Sequence, residues 1–286
     1  MKSLSSRAQG LVAVNIAAVI FGSAALYGKL DVSPFWIVCV RAVFAAIALA
    51  VFGFYKRDIG LPPRNQWLVI IGTGVILAIH WLTFFASVQM AGVAVATLTF
   101  AAFPLFTLLI ETVHQRRRLH AAEIAAALCI IVAVGLLINP QNNHGNPLGV
   151  GAGLISALTF AWFGYASKQL GRALSPLRIS LVQNTVVATI LVPFLFFVDG
   201  HPARIADWMW LLLLGVMTTA VMHQLYFYAL RRLSASTCSG FVALEPVYAI
   251  LFAAVLFHES ITLWVILSAV LIVGASVAFL KLEPPL

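Results

Sequence analysis

The chain has 286 residues, of which 62% are hydrophobic and 9% charged, with a formal net charge of +8. A soluble domain carries about 25% charged residues, so this composition and a mean hydropathy of +1.03 exclude a water-exposed fold. The positive balance does not call for nucleic acid, because basic residues between apolar spans hold the cytoplasmic ends of membrane helices in place.

A transmembrane helix needs about 20 mostly apolar residues. Ten such runs follow in order: 9–28, 34–54, 67–89, 92–113, 121–139, 148–168, 177–198, 208–230, 235–257 and 262–281. Turn formers punctuate them at Ser33-Pro34, Pro62-Pro63, Asn139-Pro140, Asn146-Pro147, Ser175-Pro176 and Gly200 to Pro202. Only Met90-Ala91 separates the third run from the fourth, which predicts a tight turn there. Most Lys and Arg residues fall at one set of ends, from Lys2 and Arg7 through Arg116 to Arg118 and Arg231-Arg232, while Lys29 and Arg204 fall on the other. That bias predicts a multi-pass cytoplasmic (inner) membrane protein with both termini in the cytoplasm. Trp36, Trp67, Trp208, Trp210 and Trp264 mark span ends as an interfacial belt would. Cys39, Cys129 and Cys238 sit singly in apolar runs and predict neither a disulfide framework nor a metal site.

The chain repeats itself. A shift of 142 carries Ser33-Pro34 onto Ser175-Pro176, Phe21-Gly22 onto Phe163-Gly164 and Pro104 onto Pro246. A shift of 143 carries Trp67, Gly72, His80, Phe84 and Ala86 onto Trp210, Gly215, His223, Phe227 and Ala229. The unit is five spans, an odd number, so the second copy lies upside down relative to the first. The expected architecture is all-α and integral to the membrane: ten transmembrane helices as two inverted five-helix repeats, residues 1–140 and 141–286. In such designs the substrate site lies near mid-membrane at the repeat interface.

The run GFVALEPVYAILFAAVLFHESIT, with Gly240, Glu245-Pro246 and His258-Glu259, has a first-repeat counterpart in FPLFTLLIE, where Phe103 stands opposite Glu245 and Arg117 opposite Glu259. With the ten spans and the duplication, this pattern resembles the drug/metabolite transporter superfamily, in particular its EamA-type ten-helix members. The resemblance covers essentially the whole chain. It implies a central cavity lined by spans one, three, four, six, eight and nine, and it does not specify the cargo.

Charged groups at bilayer depth cost at least about 2.5–3.5 kcal/mol, so each requires a reason. Glu245 is either a protonated cap for the carbonyl that Pro246 frees, or a cavity carboxylate that binds an ammonium group or carries a proton. Arg41, eight positions into span two, either snorkels to the interface or meets Glu245 or a cargo carboxylate. His80 and His223, at equivalent positions, are helix-to-helix hydrogen bonders or cavity residues. Trp81, beside His80, and Trp162 with Tyr165 (in AWFGYASK) are aromatic wall candidates. Pro104 and Pro246 predict a symmetric pair of kinks that serve as hinge or gate. Thr97 and Thr99 are either backbone-bonded or cavity-facing.

The expected function is secondary transport, export of small metabolites such as amino acids by alternating access, with passive facilitation of the same cargo as the variant. No GxxxxGK[ST] motif offers nucleotide power, and no HExxH or GxSxG motif supports an intramembrane enzyme. A scaffold without cargo leaves the embedded polar residues unexplained. The expected partners are a small-molecule substrate, the lipid bilayer and protons as a second candidate, with no nucleic acid and no cofactor, in a monomer or weak homodimer.

Overall fold

The computed structural model describes residues 5–116, 118–137, 146–170, 174–230, 232–233, 241–242 and 244–282, and within them every regular element is helical. Arg117, residues 138–145, Arg231, Cys238 and Gly240 lie outside the described residues. In chain order the helices are α1 (Ser6–Ser23), α2 (Pro34–Lys56), α3 (Trp67–Phe100), α4 (Phe103–Gln115), α5 (Ala121–Leu137), α6 (Pro147–Leu170), α7 (Pro176–Leu191), α8 (Ile205–Gly215), α9 (Met222–Leu230), α10 (Glu245–Phe257) and α11 (Leu263–Leu282). Short 3₁₀ segments extend α1 through Ala24–Lys29 and α7 through Val192–Phe196, and a π segment, Val216–Val221, joins α8 to α9. Pro34 and Pro176 open their helices in the first turn, where the missing N–H costs nothing.

Among the described residues six stretches are long and apolar enough to cross a membrane: Ser6–Lys29, Pro34–Lys56, Arg64–Phe100, Pro147–Ser167, Pro176–Phe196 and Ile205–Tyr226. Four shorter apolar helices accompany them, Phe103–His114, Ala121–Leu137, Glu245–Phe257 and Leu263–Ala275. The boundary expected at Met90-Ala91 lies elsewhere. Both residues are helical, and the reversal occurs at Gly92, with φ 83° and ψ 168°. Only glycine adopts that conformation readily. Phe100 consequently folds back to place its ring 5.2 Å from that of His80, whereas twenty residues of straight helix would separate them by about 30 Å.

The fourth run breaks a second time at Ala101-Ala102. A turn there is held by Ala101 N–H to Thr97 O (2.9 Å) and Leu105 N–H to Ala102 O (3.0 Å). The break therefore precedes Pro104, which sits in the first turn of α4. Pro246 occupies the same place in α10. Each proline thus opens a new helix after a break instead of kinking a continuous one.

Helix packing puts α3 against α6 and α7, α2 against α7 and α8, α1 against α9 and α10, and α5 against α11. Small residues set several of these approaches, as expected where lipid removes the hydrophobic drive between helices. Connections gather at two ends. At one end Ser33 N–H donates to Gly200 O (2.9 Å), and Gln89 Nε2 donates to Val32 O (2.8 Å). At the other, Arg178 pairs with Asp58 at 2.8 Å and the Tyr228 hydroxyl meets Gln9 Oε1 at 3.0 Å.

Candidate functional site

Arg41 does not snorkel. The side chain is 4% exposed, and its guanidinium lies over the Trp81 ring, 4.0 Å from the centroid, with Phe85 at 6.0 Å. Its position follows from two features of α8. Gly215 has no Cβ where one would stand 2.6 Å from the Arg41 carbonyl oxygen, so α8 can approach α2 closely. Directly after it the helix widens into the π segment, a rare form that is frequent at functional sites. That segment presents the buried Thr219, whose Oγ1 accepts from Arg41 Nε at 2.9 Å. Stacking and one hydrogen bond thus fix the plane of the guanidinium. Among the described residues its two terminal nitrogens have no protein partner, yet they are not sealed off as fully enclosed atoms.

Glu245 starts α10 and is also 4% exposed. Among the described residues no hydrogen bond or ion pair holds its carboxyl group, so the structure shows no cap on a freed carbonyl. Tyr27, in the 3₁₀ segment after α1, was not singled out from the sequence. Neither were Thr219 and Ser156, because single hydroxyls in apolar runs are commonplace.

His80 is anchored to α6. Its Nδ1 lies 3.0 Å from Ser156 O and 2.8 Å from Ser156 Oγ. A carbonyl can only accept, so Nδ1 carries the proton and Nε2 is the free acceptor. Its ring is enclosed by Phe160 at 4.9 Å, Phe100 at 5.2 Å and Phe84 at 6.3 Å, and Phe103 stacks on Phe100 at 5.5 Å. This phenylalanine cage was missed, although Phe100, Phe103, Phe160 and Phe163 recur at helical spacing. His223 is partly buried, and its Nδ1 is enclosed without a partner among the described residues. Thr97 and Thr99 donate to backbone carbonyls of Val93 and Val95, each at 2.8 Å, and so are backbone-bonded.

Trp162 and Tyr165 are not brought into this cluster. Trp162 is 48% exposed, and its ring meets Tyr165 edge-on at 6.1 Å. Tyr165 in turn meets His114 of α4 at 5.4 Å. The buried tryptophan beside the charged centre is Trp81. Among the described residues no group of three His, Cys, Asp or Glu side chains converges as a metal site.

A charged latch lies at the end of the molecule that carries Gly92. Lys29 Nζ is 2.5 Å from Glu259 Oε1, and that oxygen also accepts from Val93 N–H at 3.3 Å. His258, with φ 53°, turns the chain left-handed after α10 and delivers Glu259 to this position. The latch ties the end of α1, the Gly92 reversal and the end of α10 together. Toward the opposite end, an apolar cleft of about 660 Å³ opens between α1, α2 and α8–α9, lined by Ile16, Leu49, Phe52, Ala220 and Tyr228 among others. It reaches the π segment that holds Thr219.

Comparison with known proteins accords with this architecture. The model of the EamA-like transporter family matches the chain twice, over residues 8–139 and 147–280. The chain is 25% identical to the uncharacterized transporter YxxF of Bacillus subtilis (strain 168), over 87% of this chain and 82% of that one. It is also 25% identical to an uncharacterized transporter of Archaeoglobus fulgidus, over 94% and 96% of the two chains. A third relative, the uncharacterized transporter PA0485 of Pseudomonas aeruginosa, is 27% identical over 88% and 86%. One solved crystal structure superposes with a TM-score of 0.67 at 18% identity, covering 95% of this chain and 97% of the other, which speaks to fold alone. The two matches of the family model together take in nearly the whole sequence, and the chain is a multi-pass membrane protein belonging to the EamA-like transporter family.

Proposed function

We propose that the protein is a secondary transporter that exports small metabolites such as amino acids by alternating access around the Arg41–Glu245 centre. The observation that carries this reading is a buried guanidinium and a buried carboxyl group, neither of which forms an ion pair among the described residues. Two embedded charges that served only stability would be expected to pair and satisfy their remaining hydrogen bonds. Left apart, with terminal atoms unoccupied, they suit a site that a cargo completes. Membership of a transporter family supports a carrier and not an enzyme.

In this reading the chain makes ten spans in a cytoplasmic membrane, as inverted halves 1–140 and 141–286, with both termini inside. The Lys29–Glu259 latch then closes the outer end, and the apolar cleft lies on the inner half. His80, pinned to Ser156, orders α3 against α6, while His223 keeps a free ring nitrogen for proton exchange. The breaks before Pro104 and Pro246 are the hinges, because a helix interrupted by a turn can pivot without losing a hydrogen bond along its length.

Purified protein reconstituted into vesicles tests the reading directly. Outwardly directed gradients of amino acids, nucleobases and small amines should drive saturable flux, and an imposed pH gradient should drive accumulation if protons are coupled. Flux that follows only the cargo's own gradient identifies a facilitator. No saturable flux of any of these classes overturns the transporter reading.

A further inference from the structure

The geometry points to a binding site for an anionic phospholipid, with one acyl chain in the apolar cleft between α1, α2 and α8–α9 and the phosphate at Lys56 and Arg232 on its rim. This inference goes beyond the transporter reading and does not rest on it.

The cleft has the dimensions of a lipid chain within one leaflet. It holds about 660 Å³ and runs from Val216 in the π segment to Tyr228 in α9, with Ile16 of α1 and Leu49 and Phe52 of α2 on the other walls. Twelve residues of helix rise about 18 Å, and half of a bilayer's hydrocarbon core is about 15 Å. Val12 and Ile16 line the cleft and are close to half exposed on a membrane-spanning helix, so it opens toward lipid.

The rim adds a preference for negative charge. The last α2 residue on the cleft is Phe52, and Lys56, four residues on, holds its Nζ 5.6 Å from that ring's centroid. The last α9 residue is Tyr228, and Arg232, again four residues on, stacks its guanidinium 3.5 Å from that ring's centroid. Two walls thus carry the same device, an aromatic side chain on the cleft followed one turn later by a cation. The Tyr228 hydroxyl donates to Gln9 Oε1 at 3.0 Å, which fixes the ring beneath Arg232 against α1. Among the described residues neither cation pairs with a carboxylate.

Donors are also left over. Arg232 gives Nη1 to Tyr228 O at 3.2 Å, but its Nε has no partner among the described residues. Nor has Nε2 of Gln224, which lines the cleft one turn before Tyr228. The site therefore asks for an anion at the rim, a hydrogen-bond acceptor just beneath it and hydrocarbon below. A phospholipid offers these in that order, as phosphate, ester carbonyl and acyl chain. A free anion leaves the cleft unfilled, and a neutral lipid leaves both cations unanswered. Basic pockets beside transmembrane helices select anionic headgroups for this reason.

The experiment uses purified full-length protein in neutral detergent, with retained lipid counted by native mass spectrometry. The probes are phosphatidylglycerol and phosphatidylcholine with identical oleoyl chains, offered together. Wild type should prefer phosphatidylglycerol about tenfold or more, since each rim cation contributes about fivefold. Lys56→Gln and Arg232→Gln should each lower that ratio about fivefold, and together bring it close to unity. Arg232→Lys should keep most of it, because the charge remains. Arg64→Gln removes an exposed cation that does not line the cleft and should leave the ratio unchanged. Ile16→Trp fills the cleft from a half-exposed position and should lower retention of both lipids about fivefold or more at a near-normal melting temperature. Each headgroup ratio is taken within one variant, so a general loss of stability does not imitate the result. Equal retention of the two lipids by wild type overturns the proposal, as does a wild-type ratio in the double Gln variant. So does an Arg64→Gln effect as large as those of the rim variants, which reduces the preference to general surface charge. Unchanged retention in Ile16→Trp overturns the placement of the chain. Displacement of phosphatidylglycerol by millimolar inorganic phosphate overturns the lipid in favour of a free anion.

Discussion

Two helices 142 residues apart have nearly the same backbone and opposite chemistry. Before α4 the chain turns at Ala102 (φ −75°, ψ −3°), and before α10 it turns at Leu244 (φ −84°, ψ −4°). Ala102 N–H meets Thr99 O at 3.2 Å, and Leu244 N–H meets Phe241 O at 3.1 Å; Leu105 and Val247 then bond back at 3.0 Å each. Both helices run for 13 residues with proline in the first turn and end in a left-handed residue, Arg116 (φ 51°) or His258 (φ 53°). The side chains at the start of each differ completely. Phe103 joins a cage of Phe100 and Phe160, with ring distances of 5.5 and 5.2 Å, whereas the buried Glu245 carboxyl group has no hydrogen bond or ion pair among the described residues. The backbone breaks recur with the repeat, while the side chains set beside them differ between the two copies. A site for an asymmetric molecule needs that inequality.

Exchanging the two residues tests the comparison most severely. Phe103→Glu puts a carboxylate among phenylalanines with no described cation beside it. A loss of about 3 kcal/mol or more is expected, seen as failure to accumulate in the membrane or a collapsed melting temperature. Near-normal accumulation of this variant would show that α4 also faces a polar space and would erase the contrast. Glu245→Phe should fold better than Phe103→Glu but lose saturable flux, because the proposed site loses its buried carboxyl group. Retained flux would remove Glu245 from the site.

A second contrast between the halves is smaller. Gly72 and Gly215 are repeat counterparts, yet a Cβ at Gly72 meets nothing within 4 Å while one at Gly215 stands 2.6 Å from the Arg41 carbonyl oxygen. Gly215→Ala should cost about 1–3 kcal/mol and shift the Arg41–Thr219 contact, whereas Gly72→Ala should stay within about 0.5 kcal/mol of wild type. Detergent melting curves decide it, and equal effects would mean that α8 does not seat Arg41. The smallest effect is expected at the latch, where Lys29 is partly exposed. Glu259→Gln should raise the labelling rate of a cysteine at position 27 about fivefold, equivalent to about 1 kcal/mol. The charge-swapped pair Lys29→Glu with Glu259→Lys should restore it, and an unchanged rate in Glu259→Gln would reduce the pair to a surface contact.

Much of this molecule was legible before any coordinates. Scarcity of charge determined a membrane protein, because uncovered backbone and apolar surface leave helices as the economical solution in lipid. The 142-residue offset located both helix breaks to within two residues, since proline and glycine act on their own local backbone. The residues Glu245, His80, His223 and Trp81 stood out for the same reason, as polar or bulky groups in apolar runs. Tertiary structure alone decided the rest. Depth along a helix does not tell azimuth, so Arg41 read first as a snorkelling residue, and only the packing of α8 at Gly215 shows it buried. Trp162, expected as an inner wall, stands half-exposed because its face of α6 turns away from the one that carries Ser156 and Phe160. Lys29 stood in the sequence only as a charge at a span end and Glu259 only as the end of the His258-Glu259 pattern, since nothing local joins residues 230 positions apart. Local periodicity fixes which segments are helices; which side chains confront one another is set by how those helices pack, and the charged centre exists only there.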